Sequence, residues 1–283
     1  MLMNDPTDDR LLDEFSLSRG WWEHLSPKAF HGRFAEIETV IRSWCNSEYG
    51  RFWLSVARED GGVIRLKEGQ FIPIVHVIGL ADRPFFVAPL RRLQRGHRMV
   101  GRGDFASNKP LVEGEIVVCP TIRVDLVTDK ELLAAVRRHD TSLHVNGVTE
   151  PSSVFSVSAH LLLAPTVVRK SSYVLYQHIF GNGASYPDDG FFYVGVTTRS
   201  WKTRWAEHRR AMRRGSTLLF HRTLRDELHH GRVTYIHHKV MAITDDVEKL
   251  YATEQWLIGG HWDDKRRLNM IQGSRSRFRN LER

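Results

Sequence analysis

Two short β-prone runs set the strongest constraint on this chain. Tyr173 to Ile179 and Phe191 to Val196 are apolar and aromatic, and each carries a tyrosine. The polar stretch between them holds Gly181, Asn182, Gly183, Pro187, Asp188, Asp189 and Gly190. Runs of this length bounded by such residues predict an antiparallel hairpin. Alternation then puts Val174 and Tyr176 on one face of the first strand, and Tyr193 with Gly195 on one face of the second. A glycine there leaves room for a ligand or another stretch of backbone. Taken alone, two tyrosines on a strand pair are ordinary core residues.

From Trp201 the period changes to that of a helix. Trp201, Trp205 and Met212 make a buried stripe, while Arg204 and His208, four apart, share a face. Arg209, Arg210, Arg213 and Arg214 cover the rest before Gly215 ends the helix, as solvated surface or as phosphate contacts. A helix over Leu218 to Leu228 and a strand over Val233 to Ile243 follow. Thr244-Asp245-Asp246 then caps a helix over Val247 to Ile258. On it Glu254 interrupts Leu250, Ala252, Leu257 and Ile258, which makes it a candidate metal ligand against a default surface position. His229, His230, His237 and His238 have no cysteine or paired carboxylate at metal-ligand spacing and read as structural or surface residues.

The first part of the chain differs in charge. Residues 1–170 hold 22 basic and 21 acidic residues, whereas residues 171–283 hold 19 and 12, so the net excess of +8 lies almost wholly in the second part. A basic unit beside a near-neutral one points to a polyanion, with a solubilising surface as the plain alternative. The start of the chain is acidic and no apolar run approaches the ~20 residues of a membrane span, so a cytoplasmic protein is expected. Cys45 and Cys119 form no CxxC pair and read as core thiols. Pro27 to Glu48 predicts one amphipathic helix with Ser26 as its cap. Phe52 to Val56, Val63 to Leu66, Phe71 to Ile78 and Glu115 to Leu126 predict strands, and Lys130 to His139 a helix. Strand-like pieces follow at Val154 to Val157 and Leu161 to Leu163. Arg91, Arg92, Arg95 and Arg98 sit in a Gly-rich loop, suited to tracking phosphates or to plain solvation. These elements predict an α+β protein of two domains, 1–167 with its own core and 168–283 as a separable module.

Several of these residues carry a resemblance when taken together. Val174-Leu175-Tyr176 and Tyr193-Val194-Gly195 stand as paired motifs, with Arg204 eleven residues beyond Tyr193 and His208 one turn later. Phe220 to Arg225 follows as a small helix, then Glu254, then Asn269 in Leu268-Asn269-Met270. Over roughly residues 171–272 this pattern resembles the GIY-YIG nuclease superfamily. It departs from it in having Val and Leu where the family name has Gly and Ile, and in the long turn between the motifs. The resemblance implies a small antiparallel sheet flanked by helices and a metal-dependent endonuclease acting on DNA, of restriction, mobile-element or repair type. It implies catalytic roles for Tyr176, Tyr193, Arg204, His208, Glu254 and Asn269. Tyr176 or Tyr193 would be general base, with nearby cationic charge lowering its pKa. Glu254 would hold one Mg²⁺ or Mn²⁺ ion, Arg204 would grip the scissile phosphate, His208 would orient or relay a proton, and Asn269 would bond the phosphate or secure the site. Arg209, Arg210, Arg213, Arg91, Arg92, Arg95 and Arg98 would contact nucleic acid. A one-metal site that must cut two strands suits a homodimer on DNA; no membrane and no organic cofactor is implied. A catalytically silent nucleic-acid-binding protein and an RNA-directed nuclease are the competing readings.

Overall fold

The computed structural model describes residues 14–59, 62–81, 83–93, 115–138, 145, 147–163, 172–182, 190–260 and 262–271. Helix α1 (Arg19–Leu25) starts where the Ser18 hydroxyl accepts from Trp21 N, and it turns Trp22 and Leu25 inward. The single helix expected from Pro27 is instead a 3₁₀ segment (Lys28–Arg33) followed by α2 (Phe34–Cys45). Pro27 opens this region with an i→i+3 bond from Phe30 N, and Ser26 does not cap it. Phe34, Ile37, Ile41 and Cys45 form the buried stripe of α2.

The strand expected at Phe52 to Val56 is part of α3 (Glu48–Arg58). Ser47 caps it, and Gly50, Trp53, Leu54 and Ala57 are buried at helical spacing, a pattern that a five-residue window cannot show. A Cβ at Gly50 would lie 2.4 Å from the Trp44 carbonyl oxygen, so glycine is what lets α3 start directly against the end of α2.

Next come β1 (Ile64–Lys67), β2 (Ile74–Leu80), β3 (Arg83–Val87), β4 (Glu115–Val118) and β5 (Thr121–Val127). The one strand expected over Glu115 to Leu126 is broken at Cys119-Pro120, where proline has no N–H for a ladder. Its halves join different sheets: β4 pairs with β1, and β5 lies inside the main sheet. Asp129 accepts from the backbone of Glu131 and Leu132 at the start of α4 (Lys130–Arg137). Strand β6 (Ser152–Ser158) follows, and Leu161 to Leu163, expected to be extended, lie in the short α5 (His160–Leu163). The remainder is β7 (Tyr173–Gly181), β8 (Phe191–Thr197), α6 (Trp201–Arg213), α7 (Leu219–His229), β9 (Tyr235–Thr244) and α8 (Val247–Gly259). Gly215, with φ of 80°, takes the left-handed turn just beyond α6.

The fold is α+β around a mixed seven-stranded sheet in the order β3-β2-β5-β6-β9-β7-β8. The β2/β5 and β6/β9 pairs are parallel and the rest antiparallel. The expected boundary near 167 falls outside the described residues, and the sheet does not respect it. Six residue pairs, from Ser152↔Tyr235 to Val157↔Val240, join β6 of the first part to β9 of the second. One buried cluster also crosses the division, with Trp22, Trp53 and Phe155 beside Tyr176, Trp201 and Val240. The Trp201 indole donates to the Leu25 carbonyl at 2.8 Å. Two units with separate cores are therefore not what the described residues form. The reason is the apolar edge of β6, which β9 covers as a neighbouring strand. No helix among the described residues is long and apolar enough to cross a membrane.

Candidate active site

The hairpin register fixes the first contacts. Tyr176 lies opposite Gly195, and His178 lies opposite Tyr193. Across β9, Tyr176 faces Val240 and His178 faces His238. Tyr176, His178, Tyr193 and His238 therefore share one sheet face. The Tyr176 ring crosses directly over Gly195: a Cβ there would come within 2.6 Å of the hydroxyl and 2.7 Å of Cζ. Gly195 makes room for the tyrosine of the neighbouring strand. Tyr176 is buried and Tyr193 is partly exposed.

Helix α6 lies on this face because Trp201 and His208 point into it, and Ser200 caps its start. Arg204, on the same helix, lies close enough to Tyr176 for its charge to act on the phenol. Its Nη1 also donates to Glu207 Oε2, and Glu207 accepts a fork from Arg199 at 2.6 and 3.2 Å. A carboxylate thus holds the guanidinium in place beside the Tyr176 phenol. Burial raises the pKa of Tyr176 above its ordinary value, with Tyr193 adding to the rise and Arg204 opposing it. Burial also raises that of Tyr193, with help from the Glu254 charge. The expectation that cationic charge lowers a tyrosine here is corrected: burial outweighs Arg204, and both hydroxyls keep their protons at neutral pH.

Glu254 is buried on α8 beside Leu250, Leu257 and Ile258, and its charge reaches Tyr193, Tyr176 and Tyr251. Among the described residues, no group of three or more His, Cys, Asp or Glu is arranged to hold a metal ion. Glu254 stands as a single carboxylate. Mg²⁺ is commonly held by one or two carboxylates with water and substrate phosphate completing its shell, so this donor fits such an ion.

His208 packs edge-on against the Tyr193 ring, with centroids 5.2 Å apart. Its Nδ1 lies 2.8 Å from His221 Nε2, and His221 Nδ1 lies 2.7 Å from the Ser216 hydroxyl. His208 Nε2 is buried without a hydrogen-bond partner. Burial, then the Arg204 charge, lowers the His208 pKa to about 4. The ring is therefore neutral at pH 7, with one nitrogen tied to His221 and the other buried without a partner among the described residues.

Asn269 takes a different position. Its Oδ1 accepts from Val194 N at 3.0 Å and its Nδ2 donates to Val194 O at 2.8 Å. Since β8 is the end strand of the sheet, the amide continues a ladder begun by Phe192 with Arg266 and Leu268. Of the two roles implied for Asn269, this geometry serves the site's framework; both polar groups of the amide are engaged by backbone.

The expected nucleic-acid contacts divide into three groups. Arg209 and Arg213 line a cavity of about 830 Å³ on one flank of α6. Arg210 lines another of about 400 Å³ with Glu207, Arg214 and Ser216, on the flank that carries Arg204. Arg91 and Arg92 lie beside β2, which β5, β6 and β9 separate from β7, a span of roughly 19 Å at ~4.8 Å per strand. Arg92 stacks on Phe71 and donates to the Gly69 carbonyl. Arg95 and Arg98 lie outside the described residues.

Comparisons with protein-family models, curated proteins and solved structures return no match. The site rests on its own geometry. Glu207, Ser216, His221 and His178 are parts of it that the sequence motifs did not single out. Glu207 was legible as the carboxylate three residues after Arg204. His178 and His221 were not, because their relevance depends on β9 and α7 folding back over the hairpin.

Proposed function

We propose that this protein is a divalent-metal-dependent endonuclease that hydrolyses phosphodiester bonds in DNA. One observation carries the reading: Tyr176 and Tyr193 share one face of the hairpin, and the charges of Arg204 and Glu254 reach both of them. The resemblance of the paired tyrosine motifs to the GIY-YIG nuclease superfamily supports it, as does the positive charge of residues 171–283.

In hydrolysis, water gives up a proton as its oxygen bonds to phosphorus, the bond to the 3′ oxygen breaks, and the departing oxygen gains a proton. Glu254 would hold a Mg²⁺ or Mn²⁺ ion, which would supply charge neutralisation and support for the leaving oxygen. Arg204, oriented by Glu207 and lying beside Tyr176, presents its fork to the scissile phosphate. Tyr176 and Tyr193, protonated at neutral pH, donate hydrogen bonds to the phosphate or the attacking water. His208, neutral and tied through Nδ1 to His221, offers Nε2 beside Tyr193 to take up or return a proton. Asn269 keeps Val194 in register so that Tyr193 and Gly195 stay opposite their partners.

Incubation with supercoiled DNA and with RNA, in Mg²⁺, Mn²⁺ or EDTA, tests the reading. We expect metal-dependent DNA cleavage that falls at least ~100-fold in Glu254→Ala and Tyr193→Phe, the scale of losing a positioned catalytic group. A wild-type protein that leaves DNA as intact as Glu254→Ala does would sink it.

A further inference from the structure

The cavity of about 830 Å³ lies on the flank of α6 away from Arg204, roofed by residues just after α1 and by the start of β6. Its walls are apolar, formed by Trp205, Met212, Leu224, Leu228 and Ile236. Four cations stand around it, Lys28, Lys202, Arg209 and Arg213, and among the described residues no carboxylate lines it. None of the four forms an ion pair among the described residues. Nearby, Arg199 and Arg204 are neutralised by Glu207, and Arg232 by Glu227. Lys202 is held below its ordinary range by burial and then by its neighbour Lys28. The Arg209 charge reaches inward to His238, which also lines the cavity. A concentration of like charge over an apolar hollow costs stability in the empty protein. An anion with an apolar body removes that cost.

We infer that this cavity binds an unpaired nucleotide of a nucleic-acid strand, its base against the Trp205 wall and its phosphates on the cationic rim. A base within a duplex is stacked on both faces and hydrogen-bonded along its edge, so it cannot enter an apolar hollow; a single-stranded or extruded base brings a free π-face. The volume falls in the range of roughly 300–1,000 Å³ typical of small-molecule sites. Arg209 and Arg213 are then rim contacts to phosphate on the flank opposite the hairpin tyrosines, and Lys28 ties the first part of the chain to the same ligand. Binding here needs neither metal nor hydrolysis.

The test is fluorescence anisotropy of a labelled short single strand in EDTA, with the unlabelled duplex as competitor. Two variants perturb exposed α6 positions independently. Ala206→Trp fills the cavity while keeping every charge, and R209A with R213A removes two rim cations. We expect each to weaken single-strand binding at least ~tenfold. The double variant should also flatten the log–log salt dependence by about 1.4, at ~0.7 per lost phosphate contact. The duplex should compete poorly. Ala206→Trp that binds like wild type, or a duplex that competes as well as the single strand, overturns the inference. Metal-dependent cleavage alongside either of those results leaves the nuclease reading standing. No cleavage, with cavity-dependent binding intact, removes the nuclease reading alone.

Discussion

Acid should destabilise this protein well before its carboxylates titrate, because its sheet buries neutral imidazoles. Burial and the Arg209 charge hold His238 at about 3, and burial with the Arg204 charge holds His208 at about 4. His178 and His237 are held well below the usual range, each chiefly by burial. An unfolded histidine titrates at ~6.5. Between that value and the folded one, the unfolded chain binds a proton that the folded chain refuses. Stability therefore rises with pH through this window and is lost as pH falls from ~6.5 towards ~4. By about pH 5 each such histidine costs roughly 2 kcal/mol relative to about pH 7. His208 and His238 together account for about 4 kcal/mol, a large share of an ordinary total of ~5–15 kcal/mol, and His178 and His237 act in the same direction. Urea unfolding followed by tryptophan fluorescence at about pH 7, 6 and 5 measures this. The midpoint should fall steadily over the series. His238→Phe, which removes one titrating ring, should make the fall smaller by about 2 kcal/mol. A midpoint that is flat to about pH 5, or a variant with the same pH dependence as wild type, would refute the burial argument.

Other outcomes follow from single contacts. Gly195→Ala places a methyl against the Tyr176 hydroxyl and ring, so it should cost ~1–3 kcal/mol by overpacking and lower DNA cleavage by displacing the phenol from Arg204; denaturation and cleavage assays on one preparation read both. Asn269→Ala strands the Val194 N–H and C=O at the sheet edge and should cost about 2 kcal/mol, visible as faster amide exchange at Val194. Asp125→Asn breaks a bidentate pair with Arg123 and a contact to His76, both largely buried, and should cost ~3–5 kcal/mol in thermal unfolding. His221→Gln frees His208 Nδ1 and should change the shape of the pH profile of cleavage, whereas a purely structural loss would scale it uniformly.

What the chain discloses by itself follows the range of the interactions. The hairpin, the basic helix and the Glu254 helix are local patterns, and their spans agree with the structure to within two residues at each end. The capping chemistry is legible in part: Asp246 caps its helix as expected, whereas Ser26 does not cap the segment after it. Where the sequence reading failed, a longer-range condition decided. Phe52 to Val56 is helical because the close approach at Gly50 and the spacing of Trp53, Leu54 and Ala57 favour packing over strand propensity. Glu115 to Leu126 divides because Pro120 lets two similar apolar runs serve two sheets. The separation into two domains failed on β6, whose partner β9 lies about eighty residues away along the chain. The same join makes the candidate site depend on the first part of the chain. Trp201 starts the helix that carries Arg204 and His208, and its indole is anchored to Leu25, with Lys202 bonded to Glu23 and Ser26. The position of Arg204 over Tyr176 is therefore set jointly by the hairpin and by α1. It follows that residues 168–283 expressed alone should lose both β6 and the α1 anchor, and with them the alignment of Arg204. The refuting result is a fragment that folds cooperatively and cleaves DNA at the full-length rate, for then the hairpin and its helices would hold the guanidinium in place unaided.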